Sequence, residues 1–157
     1  MSDSTLTPNQ VIYSETVWPS WFAMSPIVLI APSIALVITP FTDFVVATLA
    51  GSVAFVFCLI AVLAMAPKIV VTKNRNQITL HVKNAAIDAK HIGSITVITK
   101  DEVRAERGPR LDARSFRVFQ TSVSEMVKIH IDDKEDPTPY WLLSTRNPSQ
   151  LIMALEK

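Results

Sequence analysis

The first 67 residues contain no lysine and no arginine; all 15 basic residues lie at or after Lys68. Acids are nearly as scarce there, limited to Asp3, Glu15 and Asp43. A single cysteine, Cys58, excludes a disulfide framework and any multi-cysteine zinc site. Only three glycines occur in 157 residues, and none sits in a glycine-rich phosphate loop. Few glycines and a 49% hydrophobic content argue against disorder. The formal charge of +1 therefore conceals two segments. Residues 1–67 carry −3, whereas residues 68–157, with 15 bases and 11 acids, carry +4. The chain is long enough for one ordinary domain or for a small domain plus an anchor. The charge split favours the second.

No charged residue interrupts the chain between Glu15 and Asp43, or between Asp43 and Lys68. Residues 44–66 are nearly all Val, Ala, Leu, Ile and Phe. A helix rises ~1.5 Å per residue, so ~20 residues cross a ~30 Å hydrocarbon layer. This run is expected to span, with Thr48, Gly51 and Ser52 bonding back to the helix or packing against a neighbour. Trp21 to Ile38 is also long enough, but Pro26 and Pro32 each remove a backbone donor. A spanning helix with neighbours to satisfy the freed carbonyls is expected, with a re-entrant or interfacial segment as the alternative. A cleaved signal peptide is disfavoured, because Asp3 and Glu15 precede the run without any positive charge.

The short connection 39–43 makes the two segments an antiparallel hairpin. Lys68, Lys73 and Arg75 follow it directly, which favours the cytoplasmic side for the flanking chain. The expectation is a two-pass plasma-membrane protein: a cytoplasmic segment 1–17, a hairpin 18–66 and a cytoplasmic domain 68–157. Tyr13, Trp18 and Trp21 fit an aromatic belt at the membrane interface.

After Lys68 the pattern turns from continuous to alternating. Ile78, Leu80 and Val82 share one face, Ile95 and Val97 repeat the spacing, and Val127, Ile129 and Ile131 do so again. Period two in such residues means half-buried strands. Asn74-Arg75-Asn76 reads as a hairpin turn between strands at 69–72 and 78–82. Further strands are expected at 87–89, 116–120 and 140–144, for a total of about seven, mainly antiparallel. Residues 101–107 place acids first and bases last before Gly108-Pro109, the order that complements a helix dipole. Asn147-Pro148-Ser149-Gln150 reads as a capping box opening a final amphipathic helix.

Seven short strands followed by one amphipathic helix resemble the bacterial pleckstrin-homology-like (PH-like) fold; a different small β-sandwich or partly open barrel is the alternative. The run from Asp136-Pro137-Thr138-Pro139-Tyr140-Trp141 to Arg146 (DPTPYWLxSTR), with Tyr13 to Pro19 and Arg107-Gly108-Pro109…Asp112, resembles an actinobacterial family of short two-helix membrane proteins. That family is a domain of unknown function, so the resemblance implies an architecture and no activity.

Candidate residues follow from chemistry. Pro137 and Pro139 hold Tyr140 and Trp141 at the entry to a strand, where alternation sends one ring inward and the other outward. Either both pack, on the core and an adjacent loop, or an exposed aromatic beside Arg146 forms a recognition surface. Six cations from Lys100 to Arg117 stand among four acids. They form a solvated face with internal pairs, or they meet lipid headgroups and carboxylates through arginine forks. Arg107, Arg110, Tyr140 and Arg146 make the candidate partner- or lipid-binding surface, although Arg107 and Asp112 can equally tie down their own Gly-Pro loop. The acidic run 132–136 lacks the ligand spacing of a calcium loop, and the three histidines show no paired metal spacing. No metal and no cofactor is expected. Ser144 or Ser124 with a histidine and Asp132 makes only a chance triad. The functional expectation is a membrane-anchored, non-catalytic binding or scaffolding protein. Membrane lipids and another membrane protein or a second copy are its partners, and nucleic acid is not. The alternatives are an anionic-lipid-binding protein and an accessory subunit of a larger membrane complex.

Overall fold

The structure, a computed structural model, describes residues 10–75, 77–120 and 122–156. Residues 1–9 of the amino-terminal segment and Asn76 of the expected turn lie outside the described residues. Two compact units result: residues 18–66, and a second unit that joins 10–17 to 67–156.

The first unit is a helical hairpin. Trp21–Met24 (α1) begins at Ser20, whose hydroxyl accepts from Ala23 N at 3.3 Å. A 3-10 stretch over Ser25–Leu29 follows, then α2 (Ile30–Ile38). Pro26 sits at the start of the 3-10 stretch, where a missing N–H costs little. The run therefore stays helical from Trp21 to Ile38. It meets α3 (Phe44–Ala64), whose helix is uninterrupted. Both are long and apolar enough to cross a membrane. Their outer faces are exposed hydrocarbon, with Trp21 83% and Phe22 87% accessible. The inner face is small: Ala47 and Gly51 are the buried residues of α3. Thr48 and Ser52 hydroxyls donate to the carbonyls of Phe44 and Thr48, as expected of polar groups in such a helix.

The second unit is a β domain of two four-stranded sheets and a closing helix. β1 (Gln10–Thr16), β2 (Lys68–Asn74), β3 (Gln77–Val82) and β4 (Ala85–Asp88) pair antiparallel in chain order. A 3-10 turn, Ala89–His91, leads to β5 (Ile92–Ile98). The second sheet runs β5-β7-β8-β6, with β6 at Phe116–Val118, β7 at Met126–Ile131 and β8 at Tyr140–Ser144. Only β6 against β8 is parallel within it. α4 (Lys100–Glu106) lies between β5 and β6 in sequence, and α5 (Pro148–Leu155) closes the chain.

The alternation read from the sequence is what builds the core. Ile69, Val71, Leu80 and Val82 from one sheet meet Val127, Ile129, Trp141 and Leu143 from the other. Leu151, Ala154 and Leu155 of α5 cover that cluster. A smaller cluster forms on the opposite face of the second sheet, where Val103 of α4 packs with Ile98, Met126, Tyr140 and Leu142.

Two features depart from the sequence reading. The described part of the segment 1–17 is not a separate tail: Gln10 to Thr16 form a further, eighth strand, and Ile12 and Tyr13 pack on the core. The capping box of α5 is not made either, since the Asn147 side chain caps no helix N–H. Its backbone N donates instead to Thr145 Oγ1 at 3.1 Å.

Candidate functional site

Strand β8 and the residues after it organise the domain's polar chemistry. Asp136 Oδ1 accepts from Thr138 N at 2.8 Å, closing an Asx turn that delivers Tyr140 to the strand. From there the side chains alternate, but both faces are covered. Trp141 is 5% exposed and stacks obliquely on Phe116, with centroids 4.5 Å apart. Tyr140 is 6% exposed and packs under α4. Its hydroxyl accepts from Asp112 N at 2.8 Å and donates to Arg110 O at 3.4 Å. Lys128 Nζ lies 4.3 Å from the centre of its ring. Tyr140 is therefore a buried anchor for the 110–112 loop, as the reading in which both rings pack expects, and its place on an exposed recognition surface is corrected. Alternation alone leaves the choice open, because it does not show that α4 roofs the outer face of the second sheet.

Arg107 is also turned inward. Its Nη2 donates to Gln120 O at 3.2 Å, Val123 O at 3.3 Å and Ser144 Oγ at 3.0 Å. Its Nε reaches Met126 Sδ at 3.3 Å, and the guanidinium lies 5.2 Å from the Phe119 ring centre. Burial lowers its pKa from the ordinary arginine value. Arg107 thus ties the 119–123 loop to β8, and its placement on a partner-binding surface is corrected accordingly. The loop partner anticipated for it, Asp112, instead holds Arg114 at 3.0 Å, and that fork keeps the Asp112 carboxyl below its usual range.

Arg110 and Arg146 remain exposed, but at opposite ends of β8. The Arg110 carbonyl marks the Tyr140 end, whereas Arg146 lies two residues beyond Ser144, the other end of the strand. The four candidates do not form one site. Arg110 pairs with Glu106 at 3.6 Å, and Glu106 also takes Lys128 at 2.9 Å. The Arg110–Glu106 pair is internal to the basic stretch, and Lys128 joins it from β7.

The Arg146 end is the more organised. Glu15 of β1 accepts from Tyr13 OH at 2.6 Å and from Thr145 Oγ1 at 2.5 Å on one oxygen, and from Arg146 N at 2.8 Å on the other. Thr145 is fully buried. Tyr13 is therefore a β-domain residue, with its ring on the core and its hydroxyl held by Glu15, where the sequence reading made it an interfacial anchor. Burial first, then the bond to Glu15, push its phenol well above the ordinary value. Trp18 and Trp21 are exposed. Gln120 joins the group through Nε2 to Val17 O at 3.1 Å and through its backbone N to Ser144 Oγ at 3.0 Å. Ser144 is thus a structural post for Arg107 and Gln120. Beside this group lies a cavity of about 290 Å³ lined by Ser122, Val123, Ser124, Glu125, Thr145 and Arg146. A second, of about 530 Å³, shares Glu125 and Arg146 and adds Lys100 and the first turn of α5.

A polar cleft of about 300 Å³ opens elsewhere, between Thr79, Asp88, His91 and Asp133. His91 Nδ1 is hydrogen-bonded to Asp133, and Thr79 donates to Asp88 at 2.8 Å. The His91–Asp133 contact escapes sequence reading because 42 residues separate the partners. Among the described residues no group of three His, Cys, Asp or Glu side chains is placed to hold a metal ion.

The three sequence motifs converge on this geometry. Tyr13 and Glu15 meet Thr145 and Arg146, Arg107 meets Ser144, and Asp112 meets Tyr140. No curated protein and no solved structure matches the chain. A family model described as "Protein of unknown function (DUF3093)" matches residues 12–155, and the chain belongs to that family.

Proposed function

We propose that this chain is a membrane-anchored, non-catalytic binding protein whose hairpin holds the β domain at the cytoplasmic face of the plasma membrane. The observation that carries the proposal is the β1–β2 ladder. Thr16 pairs with Lys68, and Val17 N donates to Pro67 O at 2.9 Å. The chain therefore leaves the β domain for the first apolar helix and returns from the second at one closed neck. Both flanking segments lie on the same side of whatever layer the hairpin enters. Lys68, Lys73, Arg75 and Lys83, on or beside β2 and β3, supply the positive flank that favours the cytoplasm. A tether of this kind raises the local concentration of the domain toward membrane partners, so weak contacts suffice. Two four-stranded sheets with a closing carboxy-terminal helix support a PH-like reading; the parallel β6–β8 pair departs from an all-antiparallel version of it.

The test uses the full chain in cells, with Cys58→Ser and a reporter cysteine at the exposed Lys134. Alkaline carbonate should leave the protein in the membrane fraction, and a membrane-impermeant maleimide should label Lys134→Cys only after permeabilisation. Extraction by carbonate overturns the anchor. Labelling of intact cells overturns the orientation.

A further inference from the structure

We infer that the paired cavities around Arg146 and Glu125 bind a phospholipid headgroup carrying both a phosphodiester and a primary ammonium, as phosphoethanolamine does. The inference rests on the membrane-anchored reading above and names the ligand of that surface.

Position is the first argument. The cavity walls are bonded to the last residues of the domain before the hairpin. Thr145 and the Arg146 backbone hold Glu15, and Gln120 holds the Val17 carbonyl while its own carbonyl accepts from Val123 N at 3.0 Å. Val17 is four residues from Trp21, where helix α1 begins, so at most about 14 Å of chain separates them. The polar layer of a bilayer adds ~5–8 Å on each side of its hydrocarbon. A domain tethered to a membrane hairpin through so short a link meets headgroups at high local concentration.

Charge is the second argument. Met126 pairs with Ser144, so Glu125 and Thr145 stand opposite each other, and Thr145 N donates to Glu125 O at 3.3 Å. This register sets an acid, Glu125, beside a base, Arg146, at the rim shared by both cavities. Lys100 adds a second cation, and Ser124 a hydroxyl. Two cations suit the phosphodiester, through an arginine fork and a point charge. The carboxylate of Glu125 disfavours a purely anionic headgroup and accepts from an ammonium. A quaternary ammonium has no N–H to offer it. The volumes, about 290 and 530 Å³, fall around the range of small-ligand sites.

The experiment titrates the purified full chain in detergent with phosphatidylethanolamine, phosphatidylglycerol or phosphatidylcholine of identical acyl chains. Native mass spectrometry counts the lipids retained. Phosphatidylethanolamine should be held preferentially. Arg146→Gln and, separately, Lys100→Gln should weaken retention by about tenfold, the size of one charge-assisted hydrogen bond. Glu125→Gln should instead remove the preference over phosphatidylglycerol. Thermal midpoints matching the parent chain confirm that each variant is folded. Equal retention of the three lipids overturns the inference, as does a preference that none of the three substitutions changes. Competition by soluble glycerophosphoethanolamine as strong as by the lipid assigns the site to a free phosphoester and overturns the lipid assignment. A chain that stays monodisperse without detergent overturns the anchored reading itself, an outcome distinct from loss of headgroup preference.

Discussion

Gly51 and Ala31 meet backbone to backbone in the hairpin: a Cβ on Gly51 would stand 2.3 Å from the Ala31 carbonyl oxygen. That atom belongs to a helix backbone and cannot rotate away, so any side chain at 51 must push α2 and α3 apart. In lipid, helix association depends on such close packing, because apolar contact alone does not distinguish a neighbour helix from acyl chains. Gly51→Leu is expected to destabilise the hairpin by about 1–3 kcal/mol, the usual cost of overpacking. Cysteine pairs placed on α2 and α3 in a Cys58→Ser background should crosslink in the parent and fail to do so in Gly51→Leu. The same contact places Gly51 inside the hairpin, which removes it from the surface that an accessory subunit would offer a larger complex.

Lys83 turns the chain between β3 and β4 at φ 53°, in the left-handed region that a Cβ disfavours. It is exposed, so nothing in the packing requires a lysine there. Lys83→Asn, a residue that tolerates this conformation, should stabilise the domain by roughly 0.5 kcal/mol. A raised urea midpoint with an unchanged m-value is the expected signature.

Arg107 and Arg110 are three residues apart and look equivalent in sequence, yet the structure separates them. Arg107 serves two loop carbonyls and Ser144, whereas the Arg110 side chain is 63% exposed and pairs with Glu106 at 3.6 Å. Arg107→Lys should cost about 2–3 kcal/mol, since an ammonium cannot reproduce a planar fork that reaches several acceptors at once. Arg110→Ala should change stability by less than about 1 kcal/mol, as expected of an exposed pair. Chemical denaturation of the two variants in the same detergent compares them directly. An equal loss in both would contradict the structural role assigned to Arg107.

The contrast shows what a linear reading can deliver. Strands at 78–82 and 127–131 were legible because each buries one alternate face in the intersheet core, and 140–144 matches β8. The apolar runs of the hairpin were legible for a simpler reason, the absence of charge. β1 was not, because its ladder shifts register between Val11 and Tyr13, which breaks the period of two. Its position just before an apolar helix also invited an interfacial reading of Tyr13. The parallel pairing of β6 with β8 and the roof that α4 places over Tyr140 depend on contacts across some 25 to 40 residues, which periodicity does not encode. Of the candidate surface, the residue types were legible. Their direction was not: Arg107 and Tyr140 point inward, while Glu15, Lys100 and Glu125 carry the geometry around Arg146.

Tyr13 and Glu15 give that geometry a pH dependence. The phenol donates to Glu15 at 2.6 Å, and burial and the neighbouring carboxylate raise its pKa in the folded chain above the ordinary 10.0. Below about pH 10 the tyrosine is protonated in both the folded and the unfolded chain, and the stabilisation is fully present. Above it the unfolded chain releases its proton while the folded chain keeps it. The unfolded state then binds fewer protons, so stability falls as pH rises. Tyr13→Phe removes this linkage at the expense of one hydrogen bond, about 1 kcal/mol at neutral pH. The variant should therefore start lower than the parent at pH 8 and lose less between about pH 10 and 11.5, so that the two thermal midpoints converge. Glu15→Gln should behave differently. It keeps an acceptor for Tyr13 and Thr145 but loses the charge, and an amide can satisfy Arg146 N with its oxygen only by leaving Thr145 without an acceptor on that side. Either orientation of the amide leaves one donor, Arg146 N or the fully buried Thr145 hydroxyl, without its acceptor, which should cost about 1–3 kcal/mol at every pH from 7 upward. Parallel curves for parent and Tyr13→Phe across the alkaline range would show that Tyr13 does not carry the titration.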